Sequence, residues 1–201
     1  MLTILHPGQP TEIAAFVMAA GWVGFGAILV LGKRGAAKGA ARRDPKSTLG
    51  FLLQCAAYLL CFAFPRTYFS PFLPRPQWAE LILAALVVVL TLVSVWFCFA
   101  AARALGRQWA LMARVIEGHE LIRRGPYAVV RNPIYLAMLG MLLATGLSVS
   151  RWPAIAAAIV IFALGTAIRI RAEEKLLRAA FGAKFDDYAR SVPAFLPLRW
   201  R

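Results

Sequence analysis

Apolar and polar positions fall along this chain in long blocks, with none of the period-two alternation of a half-buried strand. Glu12 to Leu31 is almost wholly apolar, which is the length at which an α-helix spans a bilayer core, about 20 residues. A second apolar stretch runs from about Ser47 to Phe64, and a third, the longest, from Gln77 to Ala102. A polar segment, Arg103 to Asn132, separates these from two further apolar runs, Pro133 to Val149 and Pro153 to Ile168. Only Ser150, Arg151 and Trp152 lie between those two, so the spacing predicts an antiparallel helical hairpin. Each is short for a span, which predicts a tilted pair or one set partly within protein. From Arg169 the pattern is polar and helical through about Ala180. It breaks at Gly182 and finishes with Phe185 to Arg201, which holds Pro193 and Pro197. The predicted fold is all-α, a single polytopic membrane domain of about five transmembrane helices. Residues 1–102 carry three N-terminal spans, and residues 103–201 form a second half.

Local signals refine this picture. Gly21, Gly24 and Gly26 give the first stretch a small-residue face for close helix packing. Pro65 to Pro76, with Pro71 and Pro74, reads as a link that no helix continues through. Tyr68, Trp78 and neighbouring phenylalanines suit an aromatic belt at one membrane face. Met1 to Pro10 has no basic opening, so no cleavable signal peptide is expected.

Composition agrees. The 201 residues are 61% hydrophobic, with a mean hydropathy of +0.67, against roughly 45–50% apolar for soluble domains. The net charge of +14 flanks oily segments and forms no stripe on a soluble surface, so membrane topology explains it and nucleic acid is not expected as a partner. Cys55, Cys61 and Cys98 all lie in apolar segments without metal-ligand spacing and read as buried free thiols.

The lysines and arginines assign a side to each loop. The loops after the first and third stretches hold six each and the C-terminal tail holds eight. The loops after the second and fourth hold two and one, and none precedes the first. The positive-inside rule then predicts an outside N-terminus and a cytoplasmic C-terminus, with the inner membrane as the location. It puts the polar segment before Pro133 and the tail after Ile168 on one side.

Chemistry concentrates in those two pieces. Asn132-Pro133 reads as a helix N-cap followed by proline at the first helical position, with Tyr135 in the first turn. Gly125-Pro126 marks a tight turn that leaves the backbone of Leu121 to Gly125 accessible to a flat ring. Arg131, just before the cap, is suited to a carboxylate. Arg123 and Arg124 read as side chains reaching lipid phosphates. Arg169 with Glu173, and Glu174 with Arg178, share helix faces at four-residue spacing. Two adjacent carboxylates at the end of a membrane helix call for partners, and a cationic ligand is one such partner. No serine–histidine–acid set, Walker-type loop or Cys/His metal cluster is present to support a hydrolase, an NTPase or a zinc enzyme.

The run His119-Glu-Leu-Ile-Arg-Arg-Gly-Pro-Tyr-Ala-Val-Val-Arg-Asn-Pro-Ile-Tyr135 resembles the H-x-L-V-x-x-G-x-Y-x-x-x-R-H-P-x-Y signature of the isoprenylcysteine carboxyl methyltransferase and phospholipid methyltransferase superfamily of integral-membrane methyltransferases. Arg169 to Glu174 is similar to that family's R-x-x-x-E-E, and Phe181-Gly182, Tyr188 and Val192-Pro193 are similar to its tail. The resemblance covers about Leu105 to Pro197 and implies S-adenosylmethionine-dependent methyl transfer to a lipophilic small-molecule or lipid acceptor. Residues 103–201 would then be the catalytic half, with membrane lipids around it and no obligatory protein partner. Carried over by position, His119, Leu121, Gly125, Tyr127, Asn132, Pro133 and Tyr135 would line the cofactor, and Glu174 with Glu173 would meet its positive charge. Arg131 and Arg169 would orient a carboxylate. An acceptor that is already ionised needs no base, which gives a slight lean to a carboxylate. An amine, as in phospholipid N-methylation, would call on Glu173, Tyr135 or His119. Asn132 departs from the family's histidine, Ile122-Arg123 from its Val-Thr pair, and Phe185 from the first tyrosine of its tail. The residues alone also leave open an NADPH-dependent sterol-type reductase and a non-enzymatic lipid-binding protein.

Overall fold

The computed structural model describes residues 10–34, 42–43, 45–66, 77–106, 114–115 and 120–197. His119, Tyr68, residues 67–76 of the proline-rich link and residues 1–9 lie outside the described residues, and with them the expectations placed there. The elements in order are α1 (Pro10–Arg34), β1 (Arg42–Arg43), α2 (Lys46–Ala63), α3 (Gln77–Leu105) and β2 (Arg114–Val115). A 3-10 turn (Gly125–Ala128), α4 (Pro133–Val149), α5 (Trp152–Phe181) and α6 (Ala183–Ser191) follow. Among the described residues, four helices are long and apolar enough to cross a membrane: Glu12–Gly32, Lys46–Ala63, Trp78–Leu105 and Trp152–Phe181. The protein is an all-α polytopic membrane protein, and the short pairing of β1 with β2 is antiparallel.

The expected fourth span, α4, is apolar but shorter than the other four. Its surroundings explain its composition. Pro133, Tyr135, Ala137, Met141, Leu142, Ala144 and Thr145 are all buried, because α2, α3 and α5 pack around it. A helix that is apolar on every side is one enclosed by protein or lipid. The lipid-facing residues are on its neighbours instead, with Phe16, Val23, Leu59, Trp96 and Leu164 all well exposed.

Close approaches between helices are made through small residues. A side chain at Gly21 would collide with Thr91 of α3, and one at Gly140 with Ser94. Gly24 lies 3.7 Å from Val95 by the same measure, whereas Gly26 faces open space, so only part of the expected glycine face is used. The tightest crossing joins α2 to α5, where Gly50 and Gly165 stand against each other's carbonyl oxygens. Without Cβ atoms the two backbones approach closely, as small residues allow between membrane helices. Polar side chains then cross-link the bundle, with Trp22 Nε1 on Thr145 Oγ1 at 3.1 Å and Tyr58 Oη on the Met138 carbonyl at 2.7 Å.

The α4–α5 hairpin forms as its short connection predicts. At that end the chain after α2 joins it: Pro65 bridges Ser150, Arg66 N–H donates to Val149 O at 2.9 Å, and Arg151 N–H to Phe64 O at 3.1 Å. The start of α2, the start of α4 and the end of α5 therefore lie together at the opposite, polar end. The polar helical stretch expected directly after span five forms. It continues α5 without a break to Phe181, and Gly182 turns the chain with φ +53°. The following α6 escapes the hydrophobic pattern because it is nine residues long and contributes to the interior mainly through Phe185 and Tyr188.

Candidate active site

The polar end is assembled from the segment before α4, the last turns of α5, α6 with its tail, and the middle of α2. Gly125 has φ +62°, a left-handed conformation that glycine adopts without steric cost. It starts the 3-10 turn with Pro126, and the turn is closed by Val129 and Val130 N–H donating to Pro126 O, each at 3.1 Å. Leu121 to Arg124 upstream form no helix or strand. Leu121 and Ile122 are partly covered, and Arg123 to Gly125 are exposed. Tyr127 turns inward and is buried.

The tail is fastened to this segment by hydrogen bonds. Tyr188 Oη donates to Tyr127 O at 2.6 Å, Arg131 N–H to Pro193 O at 2.9 Å, and Asn132 Nδ2 to Ala194 O at 2.8 Å. Asn132 does stand at the N-cap and Pro133 does open the helix, but the asparagine side chain makes no capping bond. Its amide holds the tail. Burial pushes the Tyr188 phenol up to about 12, against the lowering effect of nearby Arg131 and Arg123. Burial first, and then the charge of Glu173, push Tyr127 well above its ordinary range. Both phenols are neutral at ordinary pH.

Successive helix residues diverge by about 100°, so Glu173 and Glu174 face different partners. Arg131 Nε and Nη2 donate to Glu174 Oε1 at 2.9 and 2.7 Å. Its Nη1 donates to Ala189 O at 2.8 Å and also to Val192 O. The guanidinium and carboxylate are only 11% and 18% exposed. Arg131 thus joins the segment before α4 to α5 and to the tail at once. Tyr135 Oη, buried in the first turn of α4, donates to Glu173 Oε1. Of the two four-residue pairings expected along α5, that of Glu174 with Arg178 is replaced by longer-range ones: Glu174 takes Arg131, and Arg178 takes Asp186 at 2.8 Å.

Arg169 is 3% exposed. Its guanidinium carbon lies 4.9 Å from the Tyr135 ring centre and 5.7 Å from that of Phe51, within the range of cation–π attraction. Arg169 Nη1 donates to Gln54 Oε1 at 2.8 Å, and Gln54 Nε2 donates to Thr166 Oγ1 at 2.8 Å. Sequence reasoning missed Gln54. The available signal was an amide at the middle of an apolar span, a position where a polar side chain is retained only with a partner.

On the outer face of α5 an open cavity of about 400 Å³ is lined by Arg171, Glu174, Lys175, Arg178 and Ala179. Among the described residues no group of three or more His, Cys, Asp or Glu side chains is placed to hold a metal ion.

Residues 79–184 match the phospholipid methyltransferase family. The chain belongs to that family. The matched stretch runs from the first turns of α3 into α6 and includes the 3-10 turn, α4 and the Glu173-Glu174 pair; α2 lies outside it. Two curated relatives match part of the chain. The chain is 37% identical over 93 residues to the nickel-cobalt-cadmium resistance protein NccN of Alcaligenes xylosoxydans xylosoxydans. It is 36% identical over 93 residues to the cobalt-zinc-cadmium resistance protein CzcN of Cupriavidus metallidurans. Each match covers 46% of this chain and 43% of the relative. Family and helices together make the protein an integral membrane member of a methyltransferase family.

Proposed function

We propose that the protein is an S-adenosylmethionine-dependent methyltransferase whose site opens at the cytoplasmic membrane face and takes a lipophilic acceptor. The observation that carries this reading is the joining of two distant segments by side-chain bonds, Tyr135 to Glu173 and Arg131 to Glu174, beside a cavity lined by Glu174. The donor set suits such a cofactor. Glu174 offers a partner for its ammonium, and Arg171, Lys175 and Arg178 offer partners for its carboxylate. By the family resemblance Leu121 to Gly125, Tyr127, Asn132 and Pro133 would also meet the cofactor, though none of them lines this cavity. About 400 Å³ falls in the usual range for small-molecule sites, roughly 300–1,000 Å³.

Bound there, the cofactor supplies a methyl group already activated by a sulfonium. The protein's part is then alignment and exclusion of water. The Arg131 donors are taken by Glu174 and two carbonyls, so Arg131 serves to shape the pocket. Arg169, close to the Phe51 and Tyr135 rings, is the residue that would orient an acceptor carboxylate. A second reading has its own support. Glu173, bonded to Tyr135, would be the base that an amine acceptor needs, so phospholipid N-methylation competes with carboxyl methylation. Metal resistance is said of the relatives, and this proposal takes nothing from their names.

The test is transfer of labelled methyl from S-adenosylmethionine into a total membrane lipid extract by purified protein, with mass spectrometry of the product. Ester formation supports the carboxylate reading and an N-methylated headgroup supports the amine. Absence of both transfer and saturable cofactor binding defeats the proposal. Stabilisation by NADPH alone would point to a reductase.

A further inference from the structure

We infer that Gln54, in the N-terminal half of the chain and outside the family stretch, is a positioning residue for the methyl-transfer site, acting through Arg169. The inference rests on the reading above, in which Arg169 faces the acceptor.

Gln54 is 1% exposed and lies eight residues into α2, about 12 Å along the helix from Lys46. An amide at that depth is retained only if both its ends are bonded, and both are. A guanidinium has donors only, so the atom facing Arg169 Nη1 must be the amide oxygen. The amide nitrogen then meets Thr166 Oγ1, one turn before Arg169 on the same face of α5. Thr166 thereby holds the amide plane, and the amide plane sets the direction of the guanidinium.

The rest of α2 is shaped for the same side chain. Gly50, one turn before Gln54, leaves room for the Arg169 stem, since a Cβ there would lie 2.6 Å from Arg169 Cγ. The ring centres of Phe51 and Tyr135 lie 5.7 and 4.9 Å from the guanidinium carbon. A gap, a ring and a hydrogen-bond acceptor within little more than one turn of α2 thus receive one arginine of α5. Tyr135, which shares the contact with Arg169, is the residue that bonds Glu173. A change at Gln54 therefore reaches the site through one intervening side chain.

The experiment compares Gln54→Leu, Gln54→Glu and Thr166→Val with wild type in detergent micelles. It measures S-adenosylmethionine affinity by calorimetry, labelled-methyl incorporation into total membrane lipid, and melting temperature without cofactor. The expected result for Gln54→Leu is cofactor affinity within about twofold of wild type and methyl incorporation lower by about tenfold to a hundredfold, the scale of an ångström-level misplacement. Gln54→Glu, which returns an oxygen to Arg169, should recover most of that loss. Thr166→Val, which leaves the Arg169 bond in place, should cost less than Gln54→Leu. A merely structural role predicts instead that incorporation and melting temperature fall together in all three. That pattern overturns the inference, as does a Gln54→Leu variant with wild-type incorporation, or a Gln54→Glu variant no better than Gln54→Leu. Should Gln54→Leu fail to fold, Gln54→Glu against Arg169→Gln carries the comparison: the inference requires Gln54→Glu to be the more active, and equal loss overturns it. Wild type that neither binds the cofactor nor transfers methyl defeats the methyltransferase reading first, before any variant is compared, and the inference falls with it.

Discussion

Replacing Gly50 by alanine puts the α2–α5 crossing and the Arg169 clamp to a single test. The added methyl would stand 2.6 Å from Arg169 Cγ and 2.6 Å from Gly165 O, against roughly 3.5 Å for an unstrained carbon contact. One of the two obstacles is main chain, so no rotamer change relieves it, and the helices must part by about 0.9 Å. Helices move as rigid bodies over one turn, so the Gln54–Arg169 bond, now 2.8 Å, lengthens to about 3.7 Å and ceases to be a hydrogen bond. Overpacking costs about 1–3 kcal/mol and the lost bond to a charged group about 1.5–3 kcal/mol. The better helix propensity of alanine offsets about 1 kcal/mol of this. The net loss is about 1.5–5 kcal/mol, with a fall in methyl transfer like that expected of Gln54→Leu. Thermal unfolding in micelles and the labelled-methyl assay measure the two effects. Gly26→Ala is the control, because a Cβ there meets nothing within 4 Å. If Gly50→Ala matches that control in both stability and transfer, the crossing is looser than described and the reasoning fails.

Tyr135→Phe removes only the hydroxyl bonded to Glu173 and should lower kcat/KM by about tenfold to a hundredfold, the equivalent of a bond to a charged group, with the fold retained on size exclusion. Glu174→Gln leaves the poorly exposed Arg131 guanidinium without its counter-charge and should cost on the order of 3 kcal/mol, read as a lower melting temperature together with weaker cofactor binding. The Tyr188 phenol, pushed up to about 12 from an ordinary 10.0, favours the folded state only while it is neutral. Its contribution is complete below pH 10 and is lost as pH rises through 12. Tyr188→Phe should therefore remove the part of the alkaline decline in melting temperature that lies in that window; an unchanged decline would show that Tyr188 is not its source.

The fold was legible because bilayer crossing demands long apolar runs, and the observed ends of α2 and α3 fall within a few residues of those read from hydropathy. The shortness of the α4 run pointed to a helix tilted or set partly within protein, and α4 is enclosed; which helices surround it was not legible. The site was legible by segment but not by partnership. Asn132 was placed correctly at the N-cap, yet its amide is taken by the Ala194 carbonyl, 62 residues away. Arg131 and Glu174 were both singled out, but their bond spans 43 residues, and four-residue spacing favoured Arg178 instead. Gln54 carried no pattern at all, since a single amide is visible only by its isolation among apolar neighbours.

The Gln54–Arg169 bond also fixes an order of events during synthesis. Its two ends are 115 residues apart, which at roughly 5–20 residues per second separates their emergence by about 6–23 s. Throughout that interval α2, the least apolar of the four long helices with a mean hydropathy of 1.4, holds an amide whose partners on α5 do not yet exist. Until α5 arrives that amide is without its native partners. A nascent chain arrested before α5 exposes an amide that the finished protein keeps buried.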